Sequence, residues 1–325
     1  FIHVMKPKTT FLMNFCPRRA TKLRSLLCIY MFNLQLHYNY IYINIYILIY
    51  IFIYSFIYMG AFAQVKTPQP SPRSEITQQV GLTKVEVDYS RPSARGRKVI
   101  GGLVRYGDIW RTGANRNTTV SFSDPINISG KSLAAGKYGL YTRPSADQWE
   151  VYFYKKNNMG DASTNWKEDQ VVLSLTVPSI YFEPMVETFT INFSDLKSGG
   201  AKLNLIWEHT LVSIPFEVPT KTKAMESINK TLYDDPKSGD YYQAAVYFLQ
   251  EDMDLAKAQG WIEKAIKMRE QPAFWMYRQY ALILSKLRDK KAALTAFKKS
   301  NELAKKAGNK DYLIMNNSSI ADLSD

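Results

Sequence analysis

The sequence predicts a multidomain β + α protein, an antiparallel β-sandwich followed by a C-terminal α-helical repeat segment. Three observations predict it. Apolar and polar residues alternate with period two through residues 75–219, the signature of strands with one buried face. After Pro219 the apolar spacing changes to i, i+3, i+4, and a set of small and apolar residues recurs 35 positions later, as stacked helical hairpins require.

In chain order, residues 1–63 read as a signal peptide or membrane-anchor-like segment. Tyr40 to Tyr58 is apolar except for Asn44 and Ser55, and six basic residues and no acid occur in this segment, so it is long enough to span a bilayer with its positive flank inside. Ala61-Phe62-Ala63 places small residues where a signal peptidase reads, with Gln64 as the first mature residue. The expected location is extracytoplasmic, periplasmic or secreted, with membrane contact only through this segment if it stays uncleaved. A second reading takes residues 1–58 as translated non-coding sequence, because the chain opens on Phe and the Ile/Tyr alternation is of low complexity.

Residues 64–74 carry three prolines and read as an extended linker. The β-sandwich is expected over 75–219. Val85, Val87 and Tyr89 alternate with Lys84, Glu86 and Asp88; Trp149, Val151 and Phe153 with Glu150, Tyr152 and Tyr154; Phe189, Ile191 and Phe193 with Thr188, Thr190 and Asn192. Leu203, Leu205 and Trp207 form one further strand, and Val212, Ile214 and Phe216 another. Gly-containing turns separate several strands, giving about eight or nine, with residues 155–170 and 178–186 as loops.

Residues 220–325 read as a helical-hairpin repeat domain. Ala258, Ile262 and Ala265 are matched by Ala293, Phe297 and Ser300. The A-x3-F spacing at 293–297 and the period resemble tetratricopeptide repeats, in about two units over 236–308 with 311–323 as a capping helix. This resemblance implies a peptide or protein partner on the repeat surface.

Composition removes several function classes. With 46% hydrophobic and 22% charged residues the chain is neither disordered nor collagen-like. From residue 64 onward there are 36 basic against 29 acidic residues, spread evenly between the two halves, so nucleic acid is not an expected partner. Both cysteines, Cys16 and Cys28, precede residue 64, and His209 is the one histidine beyond it. A thiol nucleophile and a Cys- or multi-His metal centre are thereby excluded from the body. No catalytic residue, metal or cofactor is predicted. Glu183 with Glu187 and Asp88 with Asp108 are the carboxylate pairs a hydrolase of an envelope polysaccharide or peptide would use.

The least ordinary stretch is 89–116, where Arg91, Arg95, Arg97, Lys98, Arg105, Arg111 and Arg116 face Asp108 alone among six glycines and prolines. Guanidiniums in such a loop grip carboxylate or phosphate by paired hydrogen bonds, or else pair internally and lock the loop. The candidate ligand-binding set is Tyr89, Arg91, Arg97, Trp110, Arg111 and Asn115, with an anionic glycan or carboxylate as ligand. Trp166, Tyr181 and Phe182 are the aromatics expected at the surface. Y-S-R-P-x3-G-R at 89–97, W-R-T-G-A-N at 110–115 and G-K-x-L-x-A-G-x-Y-x-L-Y at 130–141 resemble the domain of unknown function 2911 family, found in exported proteins of Bacteroidetes-type bacteria. The likeness covers about 67–218 and implies a secreted, sheet-rich domain with no assigned activity. The family pattern implies an acid after the W-R-T-G-A-N run, where this chain has Arg116. The reading that combines these points is an exported, non-catalytic binding module, with the hydrolase and a purely structural scaffold as alternatives.

Overall fold

The computed structural model describes residues 22–58, 67–155 and 166–324, and the chain divides into two compact units, residues 1–67 and 68–325. In the first unit, α1 (Lys22–Tyr58) is a 37-residue helix without Pro or Gly. Its stretch Ile29–Ser55 is long and apolar enough to cross a membrane. Its polar side chains turn back on the helix: Asn44 Nδ2 donates to the Tyr40 carbonyl at 2.8 Å and Ser55 Oγ to Phe52 at 2.7 Å. Such internal bonds reduce the cost of carrying an amide or hydroxyl into an apolar phase. The expected cleavage site at Ala61–Ala63 lies outside the described residues.

The second unit opens with an antiparallel sheet. Its strands are β1 (Arg73–Val80), β2 (Thr83–Ser90), β3 (Thr118–Phe122), β4 (Ile126–Ile128), β5 (Lys131–Leu133), β6 (Gly136–Pro144), β7 (Gln148–Tyr154), β8 (Val171–Lys197) and β9 (Gly200–Glu217). They run in the order β1-β2-β3-β6-β7-β8-β9-β4-β5. The long β8 makes the sandwich. Up to Pro178 it pairs with β7, and from Ser179 onward with β9, so the sheet folds over on itself and two arms enclose one core. Val87, Val120, Leu140 and Phe153 enter from one arm, and Ile128, Ile191, Leu205 and Ile214 from the other.

Two details differ from the sequence expectation. Residues 178–186 belong to β8 and are not a loop. Pro178 stays paired with Gln148 on β7, and Pro184 lies where the register with β9 slips between Tyr181 and Val186, with a further slip before Thr190, but the backbone stays extended through the slip. The two strands expected around Trp207 and Val212 are one, β9. Glu208 sits at φ +49°, and this left-handed residue moves the inward set from odd positions (Leu203, Leu205, Trp207) to even ones (Val212, Ile214, Phe216).

Six helices follow: α2 (Thr220–Tyr233), α3 (Ser238–Gln250), α4 (Leu255–Lys267), α5 (Phe274–Lys286), α6 (Lys290–Lys306) and α7 (Lys310–Ser324). Asp254 and Asp289 cap the second helix of each hairpin, accepting from Lys257 N and Ala292 N at 3.1 and 3.0 Å. Ala258, Ile262 and Ala265 on α4 and Ala293, Phe297 and Ser300 on α6 are all buried. Small residues here let the helices approach. A buried polar chain fastens α7: Arg278 donates to Asn316 Oδ1, Asn316 Nδ2 to Ser300 Oγ, and Ser300 to the Phe274 carbonyl, each at 2.8 Å.

The helices join the sheet through α2 and the β1–β2 turn. Leu82 N donates to Thr220 Oγ1 at 3.2 Å, and Lys223 Nζ reaches Asp124 Oδ1 at 2.6 Å, holding the Asp124 carboxyl below the usual aspartate range. Gly81 in that turn has φ +53°, and a methyl there would lie 1.9 Å from Thr220 Oγ1 and 2.0 Å from the Ser198 carbonyl oxygen. Gly81→Ala is therefore expected to cost at least about 1 kcal/mol, from left-handed strain and displacement of Thr220. Urea unfolding of the purified protein checks it.

Candidate functional site

The chain from β2 to β3 folds as a long loop tied down at nearly every turn. Arg91 reaches across to β8, donating from Nε to the Phe189 carbonyl at 3.1 Å and from Nη2 to Thr190 Oγ1 at 2.8 Å. Ala94 N and Arg95 N both donate to Glu187, to its carbonyl at 2.8 Å and its carboxylate at 2.7 Å. Arg97 closes its own turn on the carbonyls of Ala94 and Ser93, both at 2.9 Å. Trp110 exchanges backbone hydrogen bonds with Thr142 and donates from Nε1 to the Gly113 carbonyl at 3.0 Å. Its ring stacks on Trp207 (5.8 Å, 23°) and meets Trp149 and Phe189 edge-on.

The next residues are conformationally costly. Thr112 is a fully buried β-branched residue at φ +53°, a strained geometry. It is held by Thr142 Oγ1 at 3.1 Å and by Thr118 Oγ1, which donates to its carbonyl at 2.5 Å. At Gly113, φ +157°, a methyl would stand 3.0 Å from Thr118 Oγ1 and 3.1 Å from the Ser90 carbonyl oxygen, a tight fit that its neighbours would have to yield to. Arg111 donates to the Asn115 carbonyl at 2.8 Å, and Asn115, at φ +58°, donates to Ser71 at 3.3 Å.

The six sequence-predicted residues are thus not one cluster. Tyr89, Arg91 and Trp110 meet around Phe189, where Tyr89 is in the core with its hydroxyl accepting from Ile191 N at 3.0 Å. Arg111 and Asn115 meet at the loop tip, and Arg97 remains on its own turn. Of the carboxylates proposed as pairs, Glu187 is bonded to Arg95 N and Asp88 is engaged by Arg73.

Where the loop re-enters the sheet, it borders a cavity of about 220 Å³ on the outer face. Register builds it. Asp88 on β2 stands opposite Thr119 on β3, which stands opposite Gly139 on β6, and the first two line the cavity. Arg73, Arg116 and Lys137 bring three cations to the walls, with Asp88 the one carboxylate. Among the described residues, Arg116 and Lys137 form no ion pair, though Lys137 contributes to lowering the Glu86 carboxyl, which is chiefly bound by Lys84. Asn117 and Thr119 are only 4% and 6% exposed. Asn117 Nδ2 donates to the Thr118 carbonyl at 3.2 Å, but Asn117 Oδ1 and Thr119 Oγ1, both buried, have no hydrogen-bond partner among the described residues. Sequence reasoning named Arg116 among the loop cations and missed Arg73, Asn117, Thr119 and Lys137 as partners.

Beside the cavity, Tyr141, Tyr152 and Tyr154 form a buried cluster on the outer face, covered by Trp166, which stacks on Tyr154 at 4.7 Å. Trp166, expected at the surface, is half-buried by this packing. Tyr181 is exposed and stacks on His209 at 5.3 Å, while Phe182 is half-buried. Burial pushes the Tyr141 phenol up to about 12, with Tyr154 adding to the rise and Arg111 opposing it. A raised phenol stabilises the fold fully below the ordinary tyrosine range, near pH 10, and loses that contribution as pH rises toward 12. Tyr141→Phe is expected to lose less stability between pH 9 and pH 11 than the parent, measured by urea unfolding at both values.

No curated protein and no solved structure matches the chain. Residues 71–216, nearly the whole sheet with its Arg-rich loop and outer-face cavity, match the family described as Protein of unknown function (DUF2911).

Proposed function

We propose that the sheet is a non-catalytic binding module of an exported or membrane-attached protein, and that its outer-face cavity takes the anionic group of a ligand. One observation carries this reading: Arg73, Arg116 and Lys137 surround a cavity whose single carboxylate, Asp88, is already engaged by Arg73. Two cations are left to meet a carboxylate, sulfate or phosphate. The loop arginines Arg91 and Arg111 support the site by fixing the loop that presents Arg116. A hydrolase would need two carboxylates free to share a cleft, and both proposed pairs have a member bonded elsewhere. The apolar helix Ile29–Ser55 supports an extracytoplasmic location. The recurrence at 258–265 and 293–300 supports a tetratricopeptide-like reading of the helices, with a peptide or protein partner.

The test is thermal unfolding with added sulfate or acetate at constant ionic strength, chloride as reference, on the parent and an Arg116→Ala/Lys137→Ala variant. The parent is expected to gain thermal stability from the anions and the variant to lose that gain. Equal gains in both proteins, or none in the parent, overturn the reading.

A further inference from the structure

We infer that the anion this cavity selects is hydrogen phosphate, and that Asp88 is the residue that distinguishes it from sulfate and from carboxylates; this rests on the anion-binding reading above and specifies it. Cations alone would accept any anion. Arg73 is held between two carboxylates, 3.6 Å from Glu75 Oε1 and bonded to Asp88 Oδ2, so Arg116 and Lys137 are the cations left for the ligand. Both are exposed, and two positive charges suit a dianion better than a monoanion.

The additional information lies in the carboxylate that shares the cavity with these cations. The Asp88 side chain lines the cavity and is 22% exposed, so a ligand can reach it. Register puts it on the outer face, opposite Glu75 on β1 and Thr119 on β3. Among the described residues its hydrogen bond comes from Arg73, at Oδ2, and an ionised carboxylate accepts more than one. For an anion brought to Arg116 and Lys137, Asp88 is a like charge in the same cavity, and two such groups share a site only when a proton lies between them. Sulfate and carboxylates carry no proton at neutral pH. Hydrogen phosphate, the dianion of neutral solution, keeps one P–O–H and can donate it to Asp88 while its other oxygens face Arg116 and Lys137. Such a charge-assisted O–H···O bond is among the strong ones. A phosphomonoester loses its second proton near about pH 6, and a phosphodiester has none to lose. At pH 7.5 both therefore belong with sulfate, and the free ion is the ligand, not a sugar phosphate or a lipid headgroup.

Calorimetric titration of the full chain in detergent micelles, at pH 7.5 and constant ionic strength, tests this with three probes: inorganic phosphate, sulfate of the same charge and tetrahedral shape without a proton, and glycerol 3-phosphate. Phosphate is expected to bind about tenfold more tightly than sulfate, the worth of one hydrogen bond to a charged group, and glycerol 3-phosphate about as weakly as sulfate. Asp88→Asn, whose amide offers an N–H to either anion, is expected to raise sulfate affinity and bring the ratio to about one. Equal affinities for phosphate and sulfate in the parent overturn the phosphate inference and leave the anion-binding reading standing, a comparison that does not depend on any variant folding. Absence of binding by both overturns both. Glycerol 3-phosphate binding as tightly as phosphate overturns the requirement for a proton and with it the choice of the free ion. A phosphate-to-sulfate ratio unaltered in a folded Asp88→Asn overturns the assignment of Asp88.

Discussion

Replacing Trp110 by Ala is expected to lower the unfolding free energy by about 3 kcal/mol, the low end of the range for removing a large aromatic, because the ring is only partly buried. The indole is the point where the Arg-rich loop enters the core, touching Trp149, Phe189 and Trp207 from both arms of the sheet. Its N–H also satisfies the Gly113 carbonyl, so truncation leaves that acceptor unpaired beside the strained Thr112. Denaturant titration followed by far-ultraviolet circular dichroism measures the change. A loss below about 1 kcal/mol would mean that the loop is not anchored through this ring.

The second large effect is expected at Arg91. Arg91→Ala should cost about 2–3 kcal/mol, because a charged donor leaves both the Phe189 carbonyl and Thr190 Oγ1 on β8. Arg116→Ala should change stability by no more than about 0.5 kcal/mol, as an exposed residue without an ion pair among the described residues. Unfolding titrations of the two variants side by side separate these roles, and equal losses would contradict them. Two arginines of one sequence motif then do different work, one bracing the crossover and one facing the cavity.

That division was not legible in the sequence, and the reason is physical. The sequence identifies a guanidinium but not its acceptor, and the acceptors of Arg91 are on a strand 98 and 99 residues away. What depends on local periodicity was legible: the alternation of β2, β7 and β9, the change to helix after Pro219, and the buried positions of α4 and α6. The continuity of β8 was not, since Pro178 and Pro184 signal a break, whereas Pro178 is paired with β7 in register and Pro184 marks a slip in the pairing with β9 and not a loop. The cavity was hidden for a related reason. Asp88, Thr119 and Gly139 come from three strands and share a row only through inter-strand register, which alternation within a single strand leaves open. Nor did Tyr141 and Tyr154 identify their face: their burial depends on Trp166, which arrives from beyond β7 to cover them.

The most direct test of the account is the gain in thermal stability that sulfate or acetate gives to Arg97→Ala and to Arg116→Ala, measured at constant ionic strength against chloride on variants first shown to be folded. Arg97 spends its donors on its own turn, at Ala94 and Ser93, whereas Arg116 lines the cavity. The account predicts the parental gain for Arg97→Ala and a reduced gain for Arg116→Ala; an unchanged gain in Arg116→Ala, or an equal reduction in both, would contradict it.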